Sequence, residues 1–199
     1  MGIVVLLTGP PAAGKTTLSE SLSEHVSPLQ VVDYGGLLLE TIEEEDFGYE
    51  SMRKKSASVL SYEVIRKTDK KLIKNISIER EETHIVIDSH PITKEEYGYR
   101  CAHYDKDDLD SLNLDMIIAL HCSPSEIVRR IENNPEGRSS VSEKQVRTHT
   151  LLQDSVAITY GIVSDCPVHF LDSNVKPKDL AEKVAQFFDR LDAEYTWSV

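Results

Sequence analysis

Residues 3–17, IVVLLTGPPAAGKTT, decide how this chain folds, because a short apolar run leads directly into a glycine-bracketed loop. The run is typical of a buried strand, and the stretch from Gly9 to Thr16 matches GxxxxGK[ST]. Glycines let successive backbone N–H groups converge on phosphate oxygens, and the next helix adds the partial charge of its N-terminus. Lys15 would meet the β- and γ-phosphates, and the Thr16 hydroxyl would coordinate Mg²⁺. We therefore predict a site for ATP or GTP with Mg²⁺, formed by Gly9, Pro10, Pro11, Ala12, Ala13, Gly14, Lys15, Thr16 and Thr17.

The composition is that of one acidic globular domain. The 199 residues carry a net charge of −12, which argues against nucleic acid or an anionic membrane surface as a partner. Three widely spaced cysteines, with no CxxC pair, are typical of reduced thiols rather than of a disulfide framework or a zinc site. The first apolar run has no basic segment before it and is too short to span a membrane. We therefore expect a cytoplasmic protein.

Short β-branched runs alternate with longer helical patterns along the chain, which predicts an α/β fold with a parallel sheet. The expected strands lie at 3–8, 29–33, 84–88, 116–121 and 168–172. The expected helices lie at 14–26, 35–44, 52–80, 123–133, 142–163 and 178–193. Most of the strands are apolar throughout, as expected when helices cover both faces of the sheet.

The segment HIVIDSH (84–90) places Asp88 at the carboxyl end of a predicted strand. Open α/β sheets build their sites at this edge, and an aspartate there can orient magnesium-bound water. His90, two residues further on, would either contact substrate or cap a turn.

Two basic stretches lie where arms beside the phosphate loop are expected. MRKK (52–55) contains Arg53, and VRRIENNPEGR (128–138) contains Arg129, Arg130 and Arg138. Arginine binds phosphate bidentately and stabilises a transferring phosphoryl group, so these stretches favour a kinase. The alternative is that they are solvated helix surfaces. The sequence contains no NKxD-like guanine reader, which argues against a switch GTPase.

Further motifs join these in a fixed order along the chain. They are GPPAAGKTT (9–17), DYGGLLLE (33–40), MRK (52–54), IDSH (87–90), KEEYGY (94–99), the arginine pair at 129–130 and an H…TYG pattern from His149 to Gly161. Together they resemble the small archaeal-type adenylate kinases, within the nucleoside monophosphate kinases, from Met1 to about Ser173. The resemblance implies a single three-layer P-loop NTPase domain over residues 1–199, with helices on both faces of a five-stranded parallel sheet of order 2-3-1-4-5. It also implies an acceptor-binding arm at 34–82 and a short lid at 134–142.

The same resemblance implies roles for individual residues. Tyr34 and Gly35 would pack on an acceptor nucleoside, and Arg53 and Lys94 would bind its phosphate, with His90 nearby. Around the donor ATP, the resemblance implies catalytic roles for Lys15, Asp88, Arg129 and Arg138, donor binding by Arg130, and Mg²⁺ binding by Thr16 and Asp88. Trimers occur in the family, so a homo-oligomer is also implied.

The chain departs from the family at two arginine positions. The family's lid pattern Arg-x-Arg-Asp falls on residues 136–139, where Glu136 replaces the first arginine. The Asn-Arg pair of the following helix falls on Gln153 and Asp154.

Three functions therefore stay open. The first is a nucleoside monophosphate kinase, most simply one that converts ATP and AMP to ADP. The second is a P-loop kinase for a nucleoside or metabolite hydroxyl, with Asp88, Asp33 or His90 as general base. The third is a nucleotide-binding regulatory factor with slow ATPase activity.

Overall fold

A five-stranded parallel sheet forms the centre of the computed structural model, which describes residues 1–42, 62–134 and 140–197. The strands in chain order are β1 (Val4–Thr8), β2 (Leu29–Asp33), β3 (His84–Asp88), β4 (Ile92–Glu95), β5 (Gly98–Cys101), β6 (Met116–His121) and β7 (Val168–Asp172). The parallel sheet has the order β2-β3-β1-β6-β7, while β4 and β5 form a separate antiparallel hairpin. Counting only the parallel strands, this order is 2-3-1-4-5. The predicted fold class and strand order are confirmed.

Helices cover both faces of the sheet. They are α1 (Lys15–Leu22), α2 (Tyr34–Thr41), α3 (Tyr62–Glu79), α4 (Lys106–Leu112), α5 (Pro124–Asn133), α6 (Glu143–Ser164) and α7 (Pro177–Trp197). None of these helices, which belong to the described part of the chain, is both long and apolar enough to cross a membrane. The predicted arm at 34–82 and lid at 134–142 lie partly outside the described residues, at 43–61 and 135–139.

The hydrophobic core explains why β1 is the central strand. All five of its residues are buried, because α1 and α7 pack on one side of the sheet and α3, α4 and α6 on the other. On the first side the main helical contributions come from Leu18, Leu22, Val184 and Phe188. On the second side they come from Leu72, Ile76, Leu112 and Tyr160. The phosphate loop therefore begins at the carboxyl end of the most enclosed strand, which fixes its position firmly.

Two elements were not predicted. The β4–β5 hairpin turns at residues 96–97, and Gly98, the first residue of β5, has a φ of +145° that favours glycine. Ala102 N–H donates to the Pro91 carbonyl at 2.8 Å and closes the base of the hairpin. Helix α4 begins with a capping box, in which the side chains of Asp105 and Asp108 each accept a hydrogen bond from the other's backbone N–H. The predicted helix at 14–26 ends earlier, since α1 stops at Leu22.

Candidate active site

The phosphate loop, residues 9–17, has the tightly turned backbone that an anion cradle requires. Gly9 and Gly14 have φ of +150° and +97°, and Ala12 also has a positive φ of 62°. A Cβ at Gly9 would lie 2.8 Å from the Leu120 carbonyl oxygen, so only glycine lets the loop turn against β6. Helix α1 begins at Lys15 without a side-chain cap. Its N-terminal N–H groups are therefore not engaged by a capping side chain, which suits the binding of phosphate.

One cavity of about 1110 Å³ collects the sequence-predicted site residues. Of those that the structure describes, the cavity is lined by Pro10, Pro11, Ala12, Gly14, Lys15, Thr16, Thr17, Tyr34, Gly35, Asp88, His90, Lys94, Arg129 and Arg130. Two residues of the loop face away from the cavity, Gly9 against β6 and Ala13 into the core. Arg53 and Arg138 lie outside the described residues. The cavity is larger than a typical pocket for one small ligand.

Lys15 and Asp88 face each other at the carboxyl edge of the sheet. The Lys15 Nζ atom lies 3.7 Å from Asp88 Oδ1, and both side chains are largely buried. The sheet explains the pairing: β1, which leads into the phosphate loop, lies beside β3 with Leu7 opposite Asp88. An ammonium and a carboxylate in these positions could bind different parts of a metal–triphosphate complex. The ammonium would contact phosphate oxygens, and the carboxylate would bind water on the metal.

Arg129 and Arg130, on α5, share one carboxylate. Glu126 accepts hydrogen bonds from Arg129 Nε at 2.7 Å and from Arg130 Nε at 2.8 Å. Together these hydrogen bonds lower the pKa of Glu126 to about 2, and the bond from Arg129 has the larger effect. Arg130 also donates through Nη1 to the Ala12 carbonyl at 3.1 Å, so it touches the phosphate loop directly. Of the two guanidinium groups, Arg130 is therefore tied to the loop.

The first turn of α2, which the resemblance assigned to an acceptor, contributes to the cavity wall. Asp33 caps this helix, its Oδ1 accepting from Gly35 N–H at 2.9 Å, and this fixes the backbone next to Tyr34. Lys94 enters the cavity from β4 and His90 from the segment after β3. Of the residues that the resemblance assigned to an acceptor, all those that the structure describes thus lie in the same cavity as the phosphate loop.

Of the two positions at which the chain lacks a family arginine, residue 154 does not line this cavity. Asp154 Oδ1 lies 2.9 Å from His121 Nε2, and Gln153 Nε2 donates to the Thr8 hydroxyl; neither Asp154 nor Gln153 lines the cavity. Asp154 therefore pairs with His121 and is not part of the cavity wall. Glu136 lies outside the described residues.

Several lining residues were missed by sequence reasoning. Arg100 enters from β5 and pairs with Glu95 at 3.1 Å, while Asp69 enters from α3. The hairpin had one usable signal, the glycine in KEEYGY. Asp69 had another, since it occupies a position on the helical stripe formed by Ile65, Leu72 and Ile76.

His149, on α6, is a buried member of the cavity wall. Its Nε2–H donates to the Ile92 carbonyl at 3.0 Å, and its ring lies edge-on to Tyr99 at 5.4 Å. Burial lowers the pKa of His149 to about 4, with further lowering by the charges of Lys15 and Lys94. The imidazole is therefore neutral at pH 7 and anchors the hairpin on α6.

This depressed pKa predicts a pH-dependent stability. Between pH 4 and pH 6.5 the unfolded histidine is charged while the native one is neutral, so its contribution is lost as pH falls through this window. In His149→Gln, which keeps an N–H donor but does not titrate, we expect the acid-side loss to shrink by roughly 3 kcal/mol. Urea unfolding at several pH values measures it.

The exposed His25 provides the control, since His25→Gln should leave the wild-type pH profile unchanged. Asp69, whose pKa is raised to about 6 by burial, contributes the opposite slope in both proteins and cancels in the comparison. An unchanged profile in His149→Gln would contradict the assigned neutral state.

The parallel sheet, the turned glycine loop and the cavity at its edge define the class of P-loop nucleotide-binding proteins. A family profile described as AAA domain matches residues 8–147, and the chain belongs to that family. It is also 28% identical to the adenylate kinase of Pyrococcus abyssi over 196 residues, and 27% identical to that of Pyrococcus furiosus, with 96% of each chain covered in both cases.

Among solved structures, an unliganded sugar kinase from Janibacter sp. HTCC2649 has a TM-score of 0.60 at 13% identity over 95% of both chains. At that identity the likeness shows the fold alone. The family match and the similarity to adenylate kinases confirm the resemblance that the ordered motifs indicate. The protein is an ATP-dependent phosphotransferase similar to the adenylate kinases.

Proposed function

We propose that the protein is a nucleoside monophosphate kinase, which transfers the γ-phosphoryl group of ATP to AMP or a related acceptor. One observation carries the proposal: a cation of the phosphate loop, Lys15, and a cation of the hairpin, Lys94, lie around one cavity. Both are near enough to His149 to lower its pKa. A kinase needs this arrangement, since it must hold two anionic substrates side by side and exclude water.

The donor half of the site would bind ATP through the backbone of the phosphate loop and the N-terminus of α1. Lys15 would neutralise the β- and γ-phosphates, and Arg130 would add a guanidinium fixed to the loop at Ala12. Arg129 lies one residue earlier on α5, at the same cavity. In this assignment Arg138 of the lid would complete the set of cations.

Thr16 and Asp88 are the side chains that would hold Mg²⁺. Among the residues that the structure describes there is no cluster of three or more histidine, cysteine or acidic side chains that could hold a metal by itself. The donor set still fits Mg²⁺, because this ion commonly takes one or two protein oxygens and completes its shell with water and phosphate. When bound, the ion would neutralise charge on the β- and γ-phosphates.

The acceptor half would place a monophosphate against Lys94 and Arg53, with its nucleoside against Tyr34 and Gly35. A monophosphate is already ionised at neutral pH, so the protein has no need of a strong general base. Its task is to hold the acceptor oxygen in line and to stabilise the charge that spreads over the transferring group. The proposal includes a cytoplasmic location, with which the three free cysteines agree.

The test measures ADP formation from ATP with Mg²⁺ alone, then with each nucleoside monophosphate, then with each nucleoside. We expect at least one monophosphate to stimulate turnover and to appear as its diphosphate by anion-exchange chromatography. Stimulation by nucleosides alone would contradict the proposal in favour of a hydroxyl-directed kinase. Slow hydrolysis that no acceptor stimulates would contradict it in favour of a regulatory ATPase.

A further inference from the structure

Asp69 is a buried carboxylate in the acceptor half of the cavity. It lies on α3 in the apolar stripe of Ile65, Leu72 and Ile76, and it is only 1% exposed, yet it belongs to the cavity wall. An acidic side chain in such a position costs free energy unless hydrogen bonds satisfy both of its oxygens. The hydrogen bonds of its two oxygens therefore bear on the function of Asp69.

The two carboxylate oxygens of Asp69 differ in the hydrogen bonds that they accept. Oδ1 accepts a hydrogen bond from the Tyr34 hydroxyl at 2.7 Å. Oδ2 is buried and accepts no hydrogen bond from the part of the chain that the structure describes. The Arg66 guanidinium lies 3.9 Å from Oδ2, beyond hydrogen-bond distance. One oxygen is therefore fixed by Tyr34, and the other has no donor among the residues that the structure describes.

Arg66 does not donate a hydrogen bond to Asp69 Oδ2, because two other carboxylates bind its guanidinium group. Its Nη2 pairs with Asp105 at 3.0 Å, and its Nη1 donates to Asp108. The Arg66 guanidinium thus lies near three carboxylates, and Asp69 is the most distant of them. Burial raises the pKa of Asp69 to about 6, against the opposing effect of the Tyr34 hydrogen bond. A donor supplied by a ligand would stabilise the charged form.

The walls beside Asp69 favour a flat ligand. Tyr34 and Tyr104 lie edge to face with their ring centres 6.1 Å apart, and both line the cavity with Leu38 and Ile65. Aromatic and aliphatic surfaces of this kind bury a planar ring, while a few placed polar groups fix its orientation. Here the placed polar group is an acceptor, so it selects an N–H donor on the ring.

We propose that Asp69, oriented by Tyr34, accepts a hydrogen bond from the exocyclic amino group of the acceptor's nucleobase. The inference rests on the proposed function and deepens it, because it names the part of the acceptor that this wall reads. The preferred acceptor is then a monophosphate with an amino-bearing base. An analogue that lacks only the amino group leaves Oδ2 without a donor and is used poorly.

The experiment compares each amino-bearing monophosphate with its partner that lacks only the amino group. The pairs are AMP with purine riboside 5′-monophosphate, GMP with IMP, and CMP with pyrimidin-2-one riboside 5′-monophosphate. For the pair that contains the best acceptor, we expect the wild-type ratio of kcat/KM to be about 10 to 100. In Asp69→Leu, which is similar in size and accepts no hydrogen bond, we expect the ratio to fall to near 1.

Two further variants separate recognition from structure. Tyr34→Phe removes the hydroxyl that orients Oδ1 and should lower the ratio at least threefold. Thr68→Val, at a buried residue of α3 whose hydroxyl bonds within the helix, should leave the ratio unchanged. A loss of rate equal for both members of a pair would mark Asp69 as merely structural and overturn the proposal.

The outcomes also distinguish this inference from the function on which it rests. If the wild type phosphorylates no monophosphate, the proposed function fails. If it does so but prefers UMP, which has no exocyclic amino group, or shows no preference within the pairs, only the reading by Asp69 is overturned. If Asp69→Leu does not fold, an unchanged ratio in Tyr34→Phe overturns the inference.

Discussion

Replacing Lys15 by alanine is expected to lower phosphoryl transfer by about 10²- to 10³-fold or more while the fold stays intact. The side chain lies at the first turn of α1, beside the phosphate loop and 3.7 Å from Asp88, where a triphosphate's charge would concentrate. Without the ammonium, the loop retains its backbone donors but loses its only full charge. Steady-state turnover with saturating acceptor measures the loss, and circular dichroism with thermal unfolding checks the fold.

Lys67 provides the matched control. It lies on the exposed face of α3 and pairs with Glu63 at 3.7 Å, away from the cavity wall. Because exposed pairs of this kind contribute little, Lys67→Ala should change turnover by less than about twofold. Unchanged turnover in Lys15→Ala would contradict the assignment of the phosphate loop itself. The loss should appear mainly in kcat, because the γ-phosphoryl group gains charge-stabilising contacts in the transition state.

The fold was predictable because its signals are local. Residues 3–8 are apolar throughout, and such a run followed by a glycine loop and a helix allows few arrangements. The order of the five parallel strands came from the family resemblance, since strand pairing joins residues far apart in the chain, such as Val4 with Ile85. The hairpin at 92–101 was missed because its strands are only four residues long and half polar.

The candidate site was only partly predictable, because helix rotation decides which side chain faces a cavity. In the sequence, Asp154 falls on the position of a family arginine, and Gln153 falls on that of the asparagine before it. Consecutive helix positions differ by about 100°. Gln153 accordingly contacts Thr8 under the phosphate loop, whereas Asp154 contacts His121. The carboxylate at 154 therefore faces a histidine and not the cavity wall.

Asp69 illustrates a different limit. Its place in an apolar stripe marks it as unusual, but the sequence does not reveal that Tyr34, 35 residues earlier, donates to it. Buried polar groups take their meaning from partners that only the tertiary structure brings close. His149 is similar, because its neutral state depends on burial and on two lysines from distant elements.

Replacing Arg130 is expected to have the second largest effect on activity. Arg130→Ala removes a guanidinium that donates to Ala12 of the phosphate loop at 3.1 Å, and kcat should fall by about 10²-fold. Arg130→Gln keeps an N–H donor for Ala12 but has no charge. If charge on the transferring group is what matters, the glutamine variant should be nearly as slow as the alanine variant. Recovery of activity in the glutamine variant would instead assign Arg130 to support of the loop.

Replacing Arg147 tests whether a cation other than Arg130 stabilises the charge on the transferring phosphoryl group. It lies at the start of α6, pairs with Glu143 at 3.5 Å and is 64% exposed, outside the cavity wall. Because it can reach the donor phosphates only by leaving that position, Arg147→Ala should change kcat by less than about twofold. A large loss in Arg147→Ala, with little loss in Arg130→Ala, would contradict the assignment of Arg130. It would mean that α6 supplies the cation where the family's lid carries an arginine and this chain has Glu136.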